Sequence, residues 1–238
     1  MEILIIGGLT FFAAGVGTLG GFGISTIMVP SLSLLLPVPQ VLLLVGIVHW
    51  FGDIWKMVLF REGIRWRLII GFGIPGIITG FFGARVAITL PEISMLRVLG
   101  LFLVVYTGYL VVNPVFRLPQ SMSVAVSGGA LSGLMAGVFG IGGAVRSAFL
   151  SAFDLPKAVY IATSGAVAFF IDCSRLVTYY SGGVRLEQDM LMGFILFIPA
   201  SFAGAAAAKR ISGRIPQERY RAFIGFLIFL VGLKLMIF

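Results

Sequence analysis

The chain has 238 residues, of which 59% are apolar and 11% charged, with a formal net charge of +8 and a mean hydropathy of +1.10. A soluble domain averages nearer 25% charged residues, so no water-soluble core of this length could hide so much apolar surface, and lipid must cover it. The +8 is therefore not a nucleic-acid footprint, and the single cysteine, Cys173, excludes an intrachain disulfide and any cysteine-based metal cluster.

Apolar segments run at about 3–20, 24–36, 41–60, 68–84, 98–113, 122–139, 144–153, 158–178, 190–208 and 222–238. Eight are long enough to cross a bilayer. The first follows Met1-Glu2 without a basic lead-in, so it is expected to be a retained helix and not a cleaved signal. The segments at 24–36 and 144–153 are short. They hold or follow glycine breaks and end at Pro37 and Pro156. The expected fold is an all-α polytopic membrane protein with about eight full transmembrane helices and two short Gly-broken segments.

The two short segments belong to a repeat. Gly21 and Gly140 are 119 residues apart, and the same shift carries Gly23 onto Gly142, Pro37 onto Pro156, Gly46 onto Gly165, Asp53 onto Asp172, Lys56 onto Arg175 and Gly63 onto Gly182. Further on the shift becomes 124 and carries Gly80 onto Gly204, Ala84 onto Ala208, Arg97 onto Arg221, Phe102 onto Phe226 and Gly108 onto Gly232. The sequence thus divides into a first repeat at 1–113, a linker at 114–121 and a second repeat at 122–238. Short interrupted segments at matching places in two halves point to a transporter whose site lies where the breaks meet.

Orientation follows from the basic residues. If the short segments count as crossings, one side receives Arg61, Arg65, Arg67, Arg117, Lys157, Lys209, Arg210, Arg214, Arg219 and Arg221, and the other only Arg85, Arg97, Arg146 and Arg185. The positive-inside rule then favours inverted halves with both termini outside. Small residues recur at helical spacing in Gly76/Gly80/Ala84, Ala200/Gly204/Ala208 and Gly129/Gly133/Gly137. These ladders are expected to be packing faces, because small residues let helix backbones approach closely in lipid.

Three groups of residues could carry chemistry. His49, Asp53 and Lys56 lie at i, i+4 and i+7 on one face of the 41–60 helix. An ionised group there must be paired or face water, so Asp53 and Lys56 form either a structural ion pair or part of a proton carrier. His49 is the only histidine and can titrate near neutral pH. Asp172 and Arg175 repeat the arrangement at 158–178, with Ala168 in place of His49. Arg146 follows the Gly140–Gly143 break. If a helix begins near Gly143, its free N–H groups at Gly142 and Gly143 would converge with Arg146, Ser147, Thr163 and Ser164 on an oxoanion. The alternative is that Arg146 snorkels to a membrane face or pairs with Asp154 or Asp172. Gly23, Ser25 and Thr26 are the uncharged counterparts in the first half. Trp50 and Trp55 are either anchors or cavity residues, and Trp66 is an interfacial anchor.

The order of these motifs resembles the TauE/SafE family of sulfite and organosulfonate exporters. The resemblance rests on Gly20-Gly21-Phe22-Gly23 to Pro30, on Gly140-Ile141-Gly142-Gly143, on Ala162-Thr163-Ser164 after Leu155-Pro156, and on the glycines at 63 and 182. It implies movement of small sulfur-containing or carboxylic anions, coupled to protons, by a multi-pass protein of the cell (inner) membrane. The chain departs from the family pattern in three places: Val45-Gly46 stands where a Thr-Ser pair would sit, Phe149 matches Pro30, and Arg146 lies in a segment that is usually apolar.

There is no paired-histidine zinc motif, phosphate-binding loop or nucleophile elbow. The expectation is accordingly no cofactor, no metal and no catalysis. The expected partners are a small anion, a proton and membrane lipid, with no nucleic acid, and a homodimer is compatible. The rival readings are an intramembrane enzyme using His49 and Asp53, and a non-transporting membrane subunit.

Overall fold

The computed structural model describes residues 2–20, 23–112, 118–211, 229–230 and 232–237. All regular structure among them is helical. The elements are α1 (Glu2–Gly20), α2 (Ser25–Leu32), α3 (Val38–Leu59), α4 (Trp66–Ala87), α5 (Glu92–Val112), α6 (Met122–Phe139), α7 (Gly142–Leu150), α8 (Lys157–Ser181) and α9 (Gln188–Ile211). A 3-10 turn, Ser151–Phe153, extends α7. Gly21, Phe22, Arg117, Arg214, Arg219, Arg221 and Phe226, all used in the sequence reading, lie outside the described residues, as does most of the segment at 222–238.

Five helices are long and apolar enough to cross a membrane: Val38–Leu59, Trp66–Ala87, Met122–Phe139, Lys157–Ser181 and Gln188–Ile211. Shorter apolar helical stretches, Glu2–Thr18 and Ile93–Val105, accompany them. Many large apolar side chains point outward, among them Ile70, Ile74, Ile78 and Phe82 along α4 and Ile195 on α9. Such a surface suits lipid and not water. The chain is a polytopic helical membrane protein.

The short helices end where the backbone chemistry says they should. Pro37 and Pro156 precede α3 and α8, each as the residue before the first turn. Gly140 closes α6 at φ 71°, a left-handed conformation that glycine adopts without strain, and its N–H returns to Ala136 and Met135 carbonyls. Gly23 has φ 84° just before α2. The eight residues of α2 rise only about 12 Å, under half of the ~30 Å hydrocarbon thickness.

The glycine ladders are packing faces. Gly129, Gly133 and Gly137 on α6 meet the α4 backbone at Phe72, Gly76 and Gly80. A Cβ on any of the three α6 glycines would strike main-chain atoms there. Contacts rise together along both chains, so α4 and α6 run parallel. Gly7 meets Leu196 and Gly15 meets Gly204, so α1 and α9 are parallel too. The pair α3 and α8 is different. Gly46 faces Arg175 and Leu176, His49 faces Asp172, and Gly165 faces Asp53 and Lys56. One number rises as the other falls, so these helices are antiparallel. Contacts of α4 with α8 and of α3 with α9 complete the bundle, and α2 touches α7.

Candidate functional site

The α3–α8 seam carries a chain of buried charges. Within α3, Lys56 Nζ donates to Asp53 Oδ1 at 2.8 Å. Within α8, Arg175 Nε donates to Asp172 Oδ1 at 2.7 Å. Both pairs lie one helical turn apart in sequence, the spacing at which helix side chains meet. Each base then crosses to the opposite helix over a glycine. A Cβ on Gly165 would lie 3.1 Å from Lys56 Cβ, and one on Gly46 would lie 3.1 Å from Arg175 Nη1. The glycine notches are the reason two bases fit inside a tight helix pair.

His49 joins the two pairs. Its Nδ1–H donates to Asp172 Oδ2 at 2.7 Å, and Asp53 Oδ2 lies 3.2 Å from the same nitrogen. Donation from Nδ1 to a carboxylate leaves Nε2 as the acceptor in the neutral ring. Nε2 is buried and makes no hydrogen bond. It points at the first break: a Cβ on Gly23 would lie 2.5 Å from it. With a neutral imidazole the two carboxylates and two bases balance, so the seam has no net charge. Balance is what makes five polar side chains tolerable at 0–4% exposure.

Arg146 stands apart from that balance. It lies in the second turn of α7, is 2% exposed, and its Nε donates to Ser164 Oγ at 3.0 Å. Its Nη2 makes no hydrogen bond. Among the described residues no carboxylate pairs with it, and both acids that the sequence allowed as partners are accounted for otherwise: Asp172 serves His49 and Arg175, and Asp154 sits in the turn after α7.

Of the other residues predicted for the anion, Ser164 joins Arg146. Ser147 lies on α7 but its hydroxyl donates to Ala144 O. Thr163 Oγ1 accepts from the Arg65 backbone N–H at 3.2 Å, toward the α3–α4 loop. Gly142 opens α7 against α6, where a Cβ would meet Ser132 O and Ala136, and Gly143 is buried beside it. Ser25 Oγ, at the start of α2, is buried without a hydrogen bond, and Thr26 is buried next to it. Trp50 and Trp55 are packing residues: Trp50 Nε1 donates to Cys173 Sγ at 3.1 Å and stacks on Phe169, and Trp55 Nε1 donates to Ser201 Oγ at 3.1 Å. Trp66 is exposed, as an interfacial anchor would be.

Ligand atoms of His49, Asp53 and Asp172 lie within 4.8 Å of one another, so a metal ion is geometrically conceivable there. The donor set argues against it. Each carboxylate already gives an oxygen to a base, and the Nδ1 position that faces both acids carries the imidazole proton. An added cation would lie across each carboxylate from an ammonium or a guanidinium.

A family model described as "Sulfite exporter TauE/SafE" matches residues 6–235. The chain belongs to the TauE/SafE family. It is thus a membrane protein of a transporter family, which agrees with the resemblance seen in the sequence. No curated protein gives a significant match.

Sequence reasoning missed two features of this TauE/SafE member. The first is the His49–Asp172 bridge between halves, and the second is the use of Gly46 and Gly165 as seats for the opposite half's base. The signal was present, since the 119-residue shift pairs both glycines and both bases. Only the antiparallel approach of α3 and α8 turns that pairing into contacts.

Proposed function

We propose that this TauE/SafE member is a secondary transporter of small sulfur-containing or organic anions, of the sulfite, sulfonate, thiosulfate or carboxylate class, coupled to protons across a cell (inner) membrane. The observation that carries the reading is Arg146. A guanidinium in a short membrane-buried helix, with one nitrogen unsatisfied and no acid partner among the described residues, is costly unless an anion completes it. An oxoanion supplies acceptors for Nη2 while Ser164 holds Nε in place. Arg146 is buried, so the anion enters when the halves rock apart.

His49 is the proton carrier in this reading. Protonation at Nε2 leaves the Nδ1–H bond to Asp172 and the 3.2 Å contact with Asp53 intact, and turns the face toward Gly23 from acceptor to donor. The seam changes from neutral to singly positive, which favours a nearby anion.

The halves, 1–113 and 122–238, are inverted in this proposal, with both termini outside. Support comes from helix directions. Equivalent helices α3 and α8 meet antiparallel, as a two-fold axis in the membrane plane requires. Following the chain from that pair puts Arg61, Arg65, Lys157, Lys209 and Arg210 at one end of the bundle, which positive-inside makes cytoplasmic.

The test is equilibrium binding of sulfite, thiosulfate, taurine and small carboxylates to the purified protein and to Arg146→Gln. A charge-assisted hydrogen bond contributes about 1.5–3 kcal/mol, so the best anion should bind roughly one to two decades more weakly. Unchanged affinity in a folded Arg146→Gln variant would remove Arg146 from the site.

A further inference from the structure

We propose that the α6–α7 break holds a second site for a small oxoanion, formed by the first N–H groups of α7 and the free Nη1 of Arg175. The oxoanion class comes from the function proposed above, but the site stands on a different guanidinium.

Arg175 is 1% exposed, and its Nη1 makes no hydrogen bond, although its Nε is held by Asp172. Nη1 would lie 3.1 Å from a Cβ on Gly46 and 3.9 Å from one on Gly140. Gly140 is two residues before Gly142, where the nine-residue α7 begins. The unsatisfied N–H groups and positive dipole end of a helix attract anions. A second positive group aimed at the same point is repelled by that end unless an anion lies between.

The opposing dipole is partly masked. The carbonyls that end α6 would repel an anion, but two of the last four, Ala136 O and Gly137 O, are occupied. Ala136 O accepts the Gly140 N–H at 2.9 Å, Met135 O accepts the Ile141 N–H at 3.4 Å, and the Tyr179 hydroxyl donates to Gly137 O at 2.5 Å. The space beside Gly140 is walled by Leu42 and Val29, so bulk water does not compete. The charged or titratable groups nearest Arg175 are Asp172, His49 and Tyr179, and the first two are bonded to each other.

This position is separate from Arg146. Arg146 reaches Ser164, and Ser164 and Arg175 are eleven residues apart on α8, a rise of about 16 Å. The Arg146–Ser164 bond is made from the second turn of α7, whereas Gly140, beside Arg175 Nη1, lies before its first turn. An anion passing through the protein would then meet one guanidinium on each side of the His49 bridge.

The experiment is calorimetric titration of sodium sulfite into the purified full chain and three variants. Arg175→Lys keeps a charge for Asp172 but has no Nη1. Gly46→Ala keeps every charge and puts a Cβ 3.1 Å from Nη1 and 2.7 Å from Leu176 Cδ2, crowding both, which covers the case in which Arg175→Lys fails to fold. Two sulfites per wild-type chain are expected. Arg175→Lys and Gly46→Ala should each weaken one of them roughly tenfold or more and leave the other unchanged, and Arg146→Gln should do the converse. Wild-type sulfite binding in folded Arg175→Lys, or in Gly46→Ala if the lysine variant does not fold, overturns the second site, and the Arg146 reading survives if Arg146→Gln still loses affinity. Loss only in the Arg175 and Gly46 variants supports the second site and removes Arg146 from binding. No sulfite binding to the wild type sinks both.

Discussion

Replacing Asp172 by asparagine should expose how the α3–α8 seam is held. Asp172 accepts from Arg175 Nε and from His49 Nδ1, both at 2.7 Å. Its neutral replacement leaves Arg175, 1% exposed, without a counter-charge in a lipid-enclosed seam. Breaking one partner of a buried pair costs about 3–5 kcal/mol, because the other charge stays buried and unpaired. Asparagine can still accept one hydrogen bond, so the expected loss lies at the lower end, about 3 kcal/mol. The double variant Asp172→Asn/Arg175→Leu removes the stranded charge as well. Replacing a whole buried pair by apolar groups is often nearly neutral, so the double variant should recover most of the loss, and the cycle should give a coupling of at least about 2 kcal/mol. The assay is reversible unfolding in mixed micelles of the wild type, both single variants and the double variant. A double variant no more stable than Asp172→Asn alone would refute the reasoning. So would an Asp172→Asn variant within about 1 kcal/mol of wild type.

Two further outcomes are expected. In proteoliposomes, anion flux should carry protons and quicken as the pH falls, and His49→Ala should abolish both effects while flux persists at a fixed low level. Proton movement of normal size in folded His49→Ala would return the histidine to a structural role. In a Cys173→Ser background, which keeps an acceptor for Trp50, Ser181→Cys should label from outside the cell and Glu62→Cys should not. Both positions are exposed, Ser181 at the end of α8 and Glu62 in the loop after α3. Labelling of both or neither from outside would mean parallel halves.

Much of the architecture can be read from the sequence because it is written in local terms. An apolar run long enough for lipid forces a helix, since every backbone group must be satisfied within the segment. Pro37, Pro156 and Gly140 stop or start helices through φ and the missing or freed N–H. Glycines four apart make a groove that another backbone can enter, as Gly129, Gly133 and Gly137 do. Asp53–Lys56 and Asp172–Arg175 meet because three residues along a helix return to the same face. None of these needs knowledge of a distant partner.

What tertiary structure decided is which distant groups meet. The repeat relates Asp53 to Asp172, but equivalence is not contact. Contact depends on the direction and height at which α3 and α8 cross, and that is set by the packing of α4, α6, α1 and α9 around them. Because the two helices cross antiparallel, His49 reaches Asp172 and not the residues near its own counterpart, Ala168. The same crossing seats Arg175 on Gly46 and frees its Nη1 toward Gly140. Thr163, adjacent to Ser164 in sequence, turns to Arg65 because consecutive residues on a helix are 100° apart and face different neighbours. Sequence determines which groups must find partners, since each buried charge or N–H carries its cost wherever it lies. The packing of helices chooses the partner, because that cost is relieved only across a few ångströms.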